Sequence, residues 1–123
     1  MFVVSDFLGE EVPASAWLTA AARRWEVVPV VVQDPVWEGS FPNLHSVVVP
    51  LVDPESGRGF DVHISSREAR SRRAQNERRR AELLAGFVAL GVNPVVVETS
   101  DGQAIDNAFA EWAAERRTLR LRR

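Results

Sequence analysis

Apolar residues along this chain gather in short continuous runs separated by polar, proline-rich or helically spaced segments. Phe2-Val3-Val4 is a buried-strand pattern that ends in Ser5-Asp6, and Phe7 to Pro13 follows as a loop. Ser15 is placed to cap a helix over 16–24, on which Trp17, Leu18, Ala21 and Trp25 keep helical spacing. The run Val27 to Val32 predicts a second strand ending at Gln33-Asp34, with Pro29 marking an edge or a bulge. Runs without alternation suit strands covered on both faces, hence a parallel sheet.

After a loop over 35–44, the runs 46–52 and 60–65 flank Asp53-Pro54-Glu55-Ser56-Gly57-Arg58-Gly59. That density of turn formers predicts a β-hairpin. Ser66 is expected to cap the longest helix, over 67–90, with Gly91 as its stop. Asn93 to Thr99 predicts a third parallel strand around Val95-Val96-Val97. A last helix then runs to about Arg117, carrying Ile105, Ala108, Phe109 and Trp112 on one stripe. The order β-α-β, hairpin, α-β-α predicts an α/β fold. It has three layers: a mainly parallel sheet with helices on both faces, plus the hairpin. Residues 1–117 form this region, and 118–123 are expected as a disordered basic tail.

Composition narrows the chemistry. The 123 residues are 46% hydrophobic and 26% charged, which suits a globular domain. Cysteine is absent, which removes disulfides, thiolate metal sites and thiol catalysis, and two histidines leave little for zinc or a His-based triad. No apolar run approaches the roughly 20 residues of a membrane span. Asp6, Glu10 and Glu11 sit where a secretion leader would be basic and then apolar, so a cytoplasmic location is expected.

The net charge of −2 conceals segregation. Residues 67–80 hold seven arginines against Glu68 and Glu77, and residues 116–123 hold five arginines and no acid. Every basic residue is arginine, a usage that a GC-rich coding bias explains on its own. Arg67, Arg70, Arg72, Arg73, Arg78, Arg79 and Arg80 form a candidate basic surface. Its arginines fall on several sides of the helix, and 61–86 offers no aromatic for base stacking, so a solvated helix face is the first expectation, an acidic protein partner the second and nucleic acid the last.

Each parallel strand ends in a polar pair with an aspartate: Ser5-Asp6, Gln33-Asp34 and Ser100-Asp101. The carboxyl ends of strands line the ligand crevice of open α/β sheets, and oxygen ligands there suit Mg²⁺ or Mn²⁺. The same residue types also serve as turn formers and helix caps. Asp34 and Glu38, with His45 nearby, are a candidate carboxylate pair for acid/base or metal-assisted hydrolysis, set against a plain charged surface loop. A metal-dependent hydrolase using Asp6, Asp34 and Asp101 is the alternative function. Asp61 and His63 alternate with Val62 and Ile64, which places both on the solvent face of a strand. With no phosphate-cradling loop and no nucleophile motif, the expectation is a non-enzymatic chain without a firm cofactor.

The stretches Val3-Val4-Ser5-Asp6-Phe7-Leu8 and Val30-Val31-Val32-Gln33-Asp34-Pro35-Val36-Trp37-Glu38 resemble a known family. So do Val52-Asp53-Pro54-Glu55-Ser56-Gly57 before Asp61 and the basic helix, Gly91, and the closing amphipathic helix. Together they resemble the C-terminal portion of the domain-of-unknown-function 58 proteins, over nearly the whole chain. The resemblance implies a von Willebrand factor A-like domain, of which this chain is about half. It also implies work beside a MoxR-type AAA ATPase and a divalent-cation site on the upper sheet edge. Only Ser5 and Asp6 map onto that site, because its Asp-x-Ser-x-Ser loop is absent here. The expected function is therefore a protein-interaction module, and a homo-oligomer formed through the strand edge at Phe2–Val4.

Overall fold

Strand β2 (Val28–Val32) is the centre of a three-stranded parallel sheet, with β1 (Phe2–Ser5) on one side and β5 (Val95–Val97) on the other. The computed structural model that establishes this describes residues 1–9, 12–23 and 25–121. The remaining elements are α1 (Ala14–Ala22), β3 (Val47–Val52), β4 (Gly59–Ile64), α2 (Ser66–Ala89) and α3 (Gly102–Leu121). This is the α/β fold the runs of valine predict. Two compact units divide the chain, one from Met1–Asp34 with Ala81–Arg123 and the other from Pro35–Arg80.

In the first unit the two faces of β2 bury different partners, as strand alternation requires. Val28 and Val30 join Val95 and Val97 beneath Ile105, Ala108, Phe109 and Trp112 of α3. Val31 faces the other way, against Trp17 of α1 and against Leu83, Leu84 and Phe87 of α2. Helices thus cover both faces of this sheet. Phe7 completes the second cluster, its ring edge-on to Phe87 at 5.4 Å, while Trp17 meets Phe87 at 5.2 Å. To reach that place Phe7 takes φ 53°, a left-handed conformation that costs a side-chain-bearing residue about 1–2 kcal/mol. Burial of an aromatic ring offsets a cost of that size.

Pro29 lies in the central strand rather than at an edge or a bulge. Val28 donates to the Met1 carbonyl and Gln33 to that of Val97, so odd-numbered residues of β2 point toward β5. The β5 ladder starts only at Val30 opposite Val95. The missing N–H of Pro29 therefore falls one step before any partner, and no ladder bond is lost.

Helix starts differ from the sequence expectation in two places. The first helix begins at Ala14 with Pro13 as its cap residue and no side-chain cap, and Ser15 lies inside the first turn. It ends at Ala22, which leaves Leu18 and Trp25 on the surface and only Trp17 buried from the expected stripe. For α2 the cap is Ser65 rather than Ser66: its hydroxyl accepts the Glu68 N–H at 3.2 Å. The stop at Gly91 is as expected. Gly91 has φ 70°, Val92 donates to the Phe87 carbonyl and Gly91 to that of Val88, the paired bonds of a Schellman motif. Helix α3 continues to Leu121, past the start of the expected tail. Residues 122 and 123 lie outside the described residues.

In the second unit β3 and β4 form a separate antiparallel pair. Val47, Val49, Val62 and Ile64 line its inner side and pack with Phe41, Leu44 and Ala69. Asp53 donates its N–H to the Arg58 carbonyl. Counting back along β3, Pro50 occupies a position whose nitrogen faces away from β4, which is why a proline is tolerated there. Among the described residues no helix is long and apolar enough to cross a membrane.

Candidate functional site

The carboxyl edge of the parallel sheet is the first candidate, because all three strand-end polar pairs lie in one unit except for their loops onward. Ser5 and Asp6 form two overlapping local turns. The Ser5 hydroxyl accepts the Phe7 N–H at 3.1 Å, and Asp6 Oδ1 accepts the Leu8 N–H at 3.0 Å. Both contacts are the turn-forming use of such side chains. Asp101 accepts the Ala104 N–H at 2.8 Å and takes its own backbone bond to the Thr99 hydroxyl, so it is the N-cap of α3.

Gln33 is the residue at this edge that sequence reasoning passed over. It is 3% exposed, the one buried polar side chain among the described residues. Its Nε2 donates to the Asp6 carbonyl at 2.7 Å while its backbone N–H donates to the Val97 carbonyl at 3.1 Å. One residue of the central strand thus ties together the ends of all three strands. Its Oε1 is buried without a hydrogen-bond partner. A polar residue directly after the apolar run Val27 to Val32, at the end of the central strand, was the available signal.

The cation site that the resemblance implies needs oxygen ligands gathered in one place. Asp6 is an exposed carboxylate beside a hydroxyl already engaged by the chain, and Asp101 is engaged as a cap. No group of three or more His, Asp or Glu side chains able to hold a metal ion occurs among the described residues. The residues present do not fit a closed Mg²⁺ or Mn²⁺ site. Asp6, Asp34 and Asp101 are therefore not members of any such group among the described residues.

The arginine-rich half of α2 is the second candidate, and here the structure redistributes the expected basic surface. Arg73 Nε donates to the Phe41 carbonyl at 2.8 Å, and Arg79 donates to the Glu38 carbonyl at 3.0 Å. Asn76 donates to the carbonyls of Trp37 and Ser40, and the Ser40 hydroxyl donates to Glu77 at 2.7 Å. Arg80 lies against Gly39, where a Cβ would overlap its guanidinium. Arg72 pairs with Glu68 at 2.9 Å and stands 5.9 Å from the centre of the Phe41 ring. Five of these α2 side chains, from Arg73 to Arg80, hold the 37–41 loop. Arg67, Arg70 and Arg78 remain exposed. Glu38, expected beside Asp34 as a carboxylate pair, is half-buried in that loop, and His45 is exposed. Asp61 and His63 are exposed as alternation predicts, and His63 Nε2 meets the Ser46 hydroxyl at 2.9 Å.

Comparison with known proteins gives one result. No curated protein and no solved structure matches the chain. A family model described as a protein of unknown function, DUF58, matches residues 1–82. That span runs from β1 through the hairpin and most of α2, and stops short of Gly91 and α3, which the sequence resemblance had included. It covers two-thirds of the chain and contains both candidate sites apart from Asp101, and on that match the chain belongs to the DUF58 family.

Proposed function

We propose that the chain is a non-enzymatic protein-interaction module and that the open edge of β1 is its contact element. One observation carries this reading. Because Val28 donates to Met1, the odd-numbered residues of β1 turn their backbone groups toward β2, and Phe2 and Val4 turn theirs to the unpaired side. Their side chains are 55% and 65% exposed. An apolar strand with an unpaired row of N–H and C=O groups is a template for a further strand.

The strand we place there is β1 of a second copy, paired antiparallel about a two-fold axis, since a self-complementary edge closes a dimer without further surfaces. The family resemblance adds a MoxR-type AAA ATPase as the partner on which the assembled module acts. Light scattering across a concentration series tests the dimer. The expected mass rises toward twice 13.7 kDa and returns to the monomer value in Val4→Pro, which removes an edge donor while keeping an extended backbone. A mass that stays monomeric at every concentration overturns the dimer. Co-purification with a MoxR-type ATPase from the same genome tests the partner, and no retention of that ATPase would remove it.

A further inference from the structure

We infer that the 35–41 loop is a pre-formed docking element, anchored by Trp37, for a protein partner that offers an apolar pocket rimmed by carboxylates. The inference stands whether or not β1 pairs with a second copy, because every residue it uses lies in the unit Pro35–Arg80.

The loop is held far more tightly than a connection requires. Carbonyls of Trp37, Glu38, Ser40 and Phe41 each accept a side-chain donor from α2, the Ser40 hydroxyl is bound by Glu77, and Gly39 leaves room for Arg80. Immobilising long side chains costs about 1–2 kcal/mol each in rotamer freedom. What that arrangement produces is a fixed backbone presenting Val36 and Trp37, which are 49% and 50% exposed. The Trp37 ring is itself oriented, edge-on to buried Phe41 at 5.5 Å and 88°. A rigid, half-exposed tryptophan escapes much of the ordering cost that weakens flexible loops on binding. Tryptophan and arginine are also the residues that dominate interface energies.

Charge selects the rim. Arg79 is fixed on the Glu38 carbonyl next to Trp37, and Arg72 stands over Phe41, the ring on which Trp37 rests. A carboxylate on a partner would meet the Arg79 guanidinium as the indole enters its pocket, while Arg72 is already paired with Glu68 at 2.9 Å. A nucleic acid fits less well. No aromatic lies within 61–86 to stack a base beside the arginines of the helix. Of the exposed arginines, Arg67 and Arg78 lie on the helix sector away from Arg73 and Asn76 and hence from the loop, which leaves only Arg70 to extend a phosphate track beside it.

The test is a selection of random dodecapeptides displayed on phage against the immobilised full chain, with anisotropy of labelled consensus peptide and of labelled oligothymidylate as readouts. The expected consensus places a large apolar residue beside Asp or Glu. Its affinity falls about tenfold or more in Trp37→Ala, as for an interface anchor, and less in Trp37→Phe, which keeps the contact with Phe41. Trp25→Ala, at an equally exposed tryptophan, and Val4→Pro leave it unchanged. Failure to enrich any consensus, or a consensus bound equally by the Trp37 variants, overturns the proposal. So does oligothymidylate binding that depends on Trp37 when peptide binding does not.

Discussion

The Gln33 side chain donates to the Asp6 main-chain carbonyl at 2.7 Å, and this bond closes the carboxyl edge of the sheet from the central strand to the loop after β1. The amide does so at a cost, because its Oε1 is buried without a partner. Two variants separate the gain from the cost. Gln33→Ala loses the bond to Asp6 and leaves space around a buried site, and is expected to destabilise by about 2–3 kcal/mol. Gln33→Met keeps the volume and removes the orphaned acceptor together with the donor, so it is expected to cost about 1 kcal/mol or less. Urea unfolding of the two variants gives the comparison, and equal losses would contradict the role assigned to the amide.

Gly91 ends α2 at φ 70°, with Val92 and Gly91 donating back to Phe87 and Val88. A Cβ at this position would meet no neighbouring atom, so the whole effect of a substitution lies in the backbone. Gly91→Ala is expected to lower stability by about 1–2 kcal/mol with an unchanged urea slope. Gly86→Ala is the matched control. It also has open space around its Cβ but sits within the helix, and it is expected to stabilise by about 0.5–1 kcal/mol.

Legibility followed how local the physical cause was. Runs of valine revealed the strands because burial on both faces demands them, and Gly91 revealed the helix stop because the left-handed turn demands glycine. Ser65 was readable in principle, since Ser65 and Glu68 have the spacing of a capping box, but the adjacent Ser66 competed for the same role. Pro29 misled because its penalty depends on where the neighbouring strand starts, which no local pattern records. The arginines of α2 misled more deeply. Sequence counts charge, but whether Arg73 and Arg79 face solvent or the carbonyls of a loop more than thirty residues away is decided by tertiary structure. Asp101 was read both as ligand and as cap, and the bond from Ala104 accounts for it as a cap.

Asp53 links the hairpin tip to pH. The Ser56 hydroxyl and then the Glu55 N–H stabilise its carboxylate and hold its pKa below the ordinary value of 3.8. A depressed folded-state pKa contributes stability that is present above the unfolded value and is lost as pH falls through the folded one. Ser56→Ala is therefore expected to raise the Asp53 pKa toward 3.8 in a carbon-detected NMR titration. The stability difference between wild type and variant is expected to be full at neutral pH and to close in acid below 3.8. A difference that persists unchanged in acid would assign the effect of Ser56 to the turn backbone instead.

Divalent cations provide the sharpest separation between capping and metal binding at the strand ends. A ligand that binds only the native state raises the melting midpoint once its concentration passes the dissociation constant. With one exposed carboxylate at Asp6, and no cluster of three acids or histidines among the described residues, the midpoint is expected to be the same in EDTA and across a Mg²⁺ or Mn²⁺ series. Asp101→Ala is expected to cost about 1 kcal/mol through loss of the Ala104 cap bond, and to cost the same with and without cation. Asp6→Ala removes only a solvent-exposed turn contact to Leu8 and is expected to cost less than about 1 kcal/mol. A saturable rise in midpoint that Asp6→Ala abolishes would reverse the assignment. Ser5 and Asp6 would then be cation ligands, with water completing the shell, and the turn bonds they make would be the scaffold of that site.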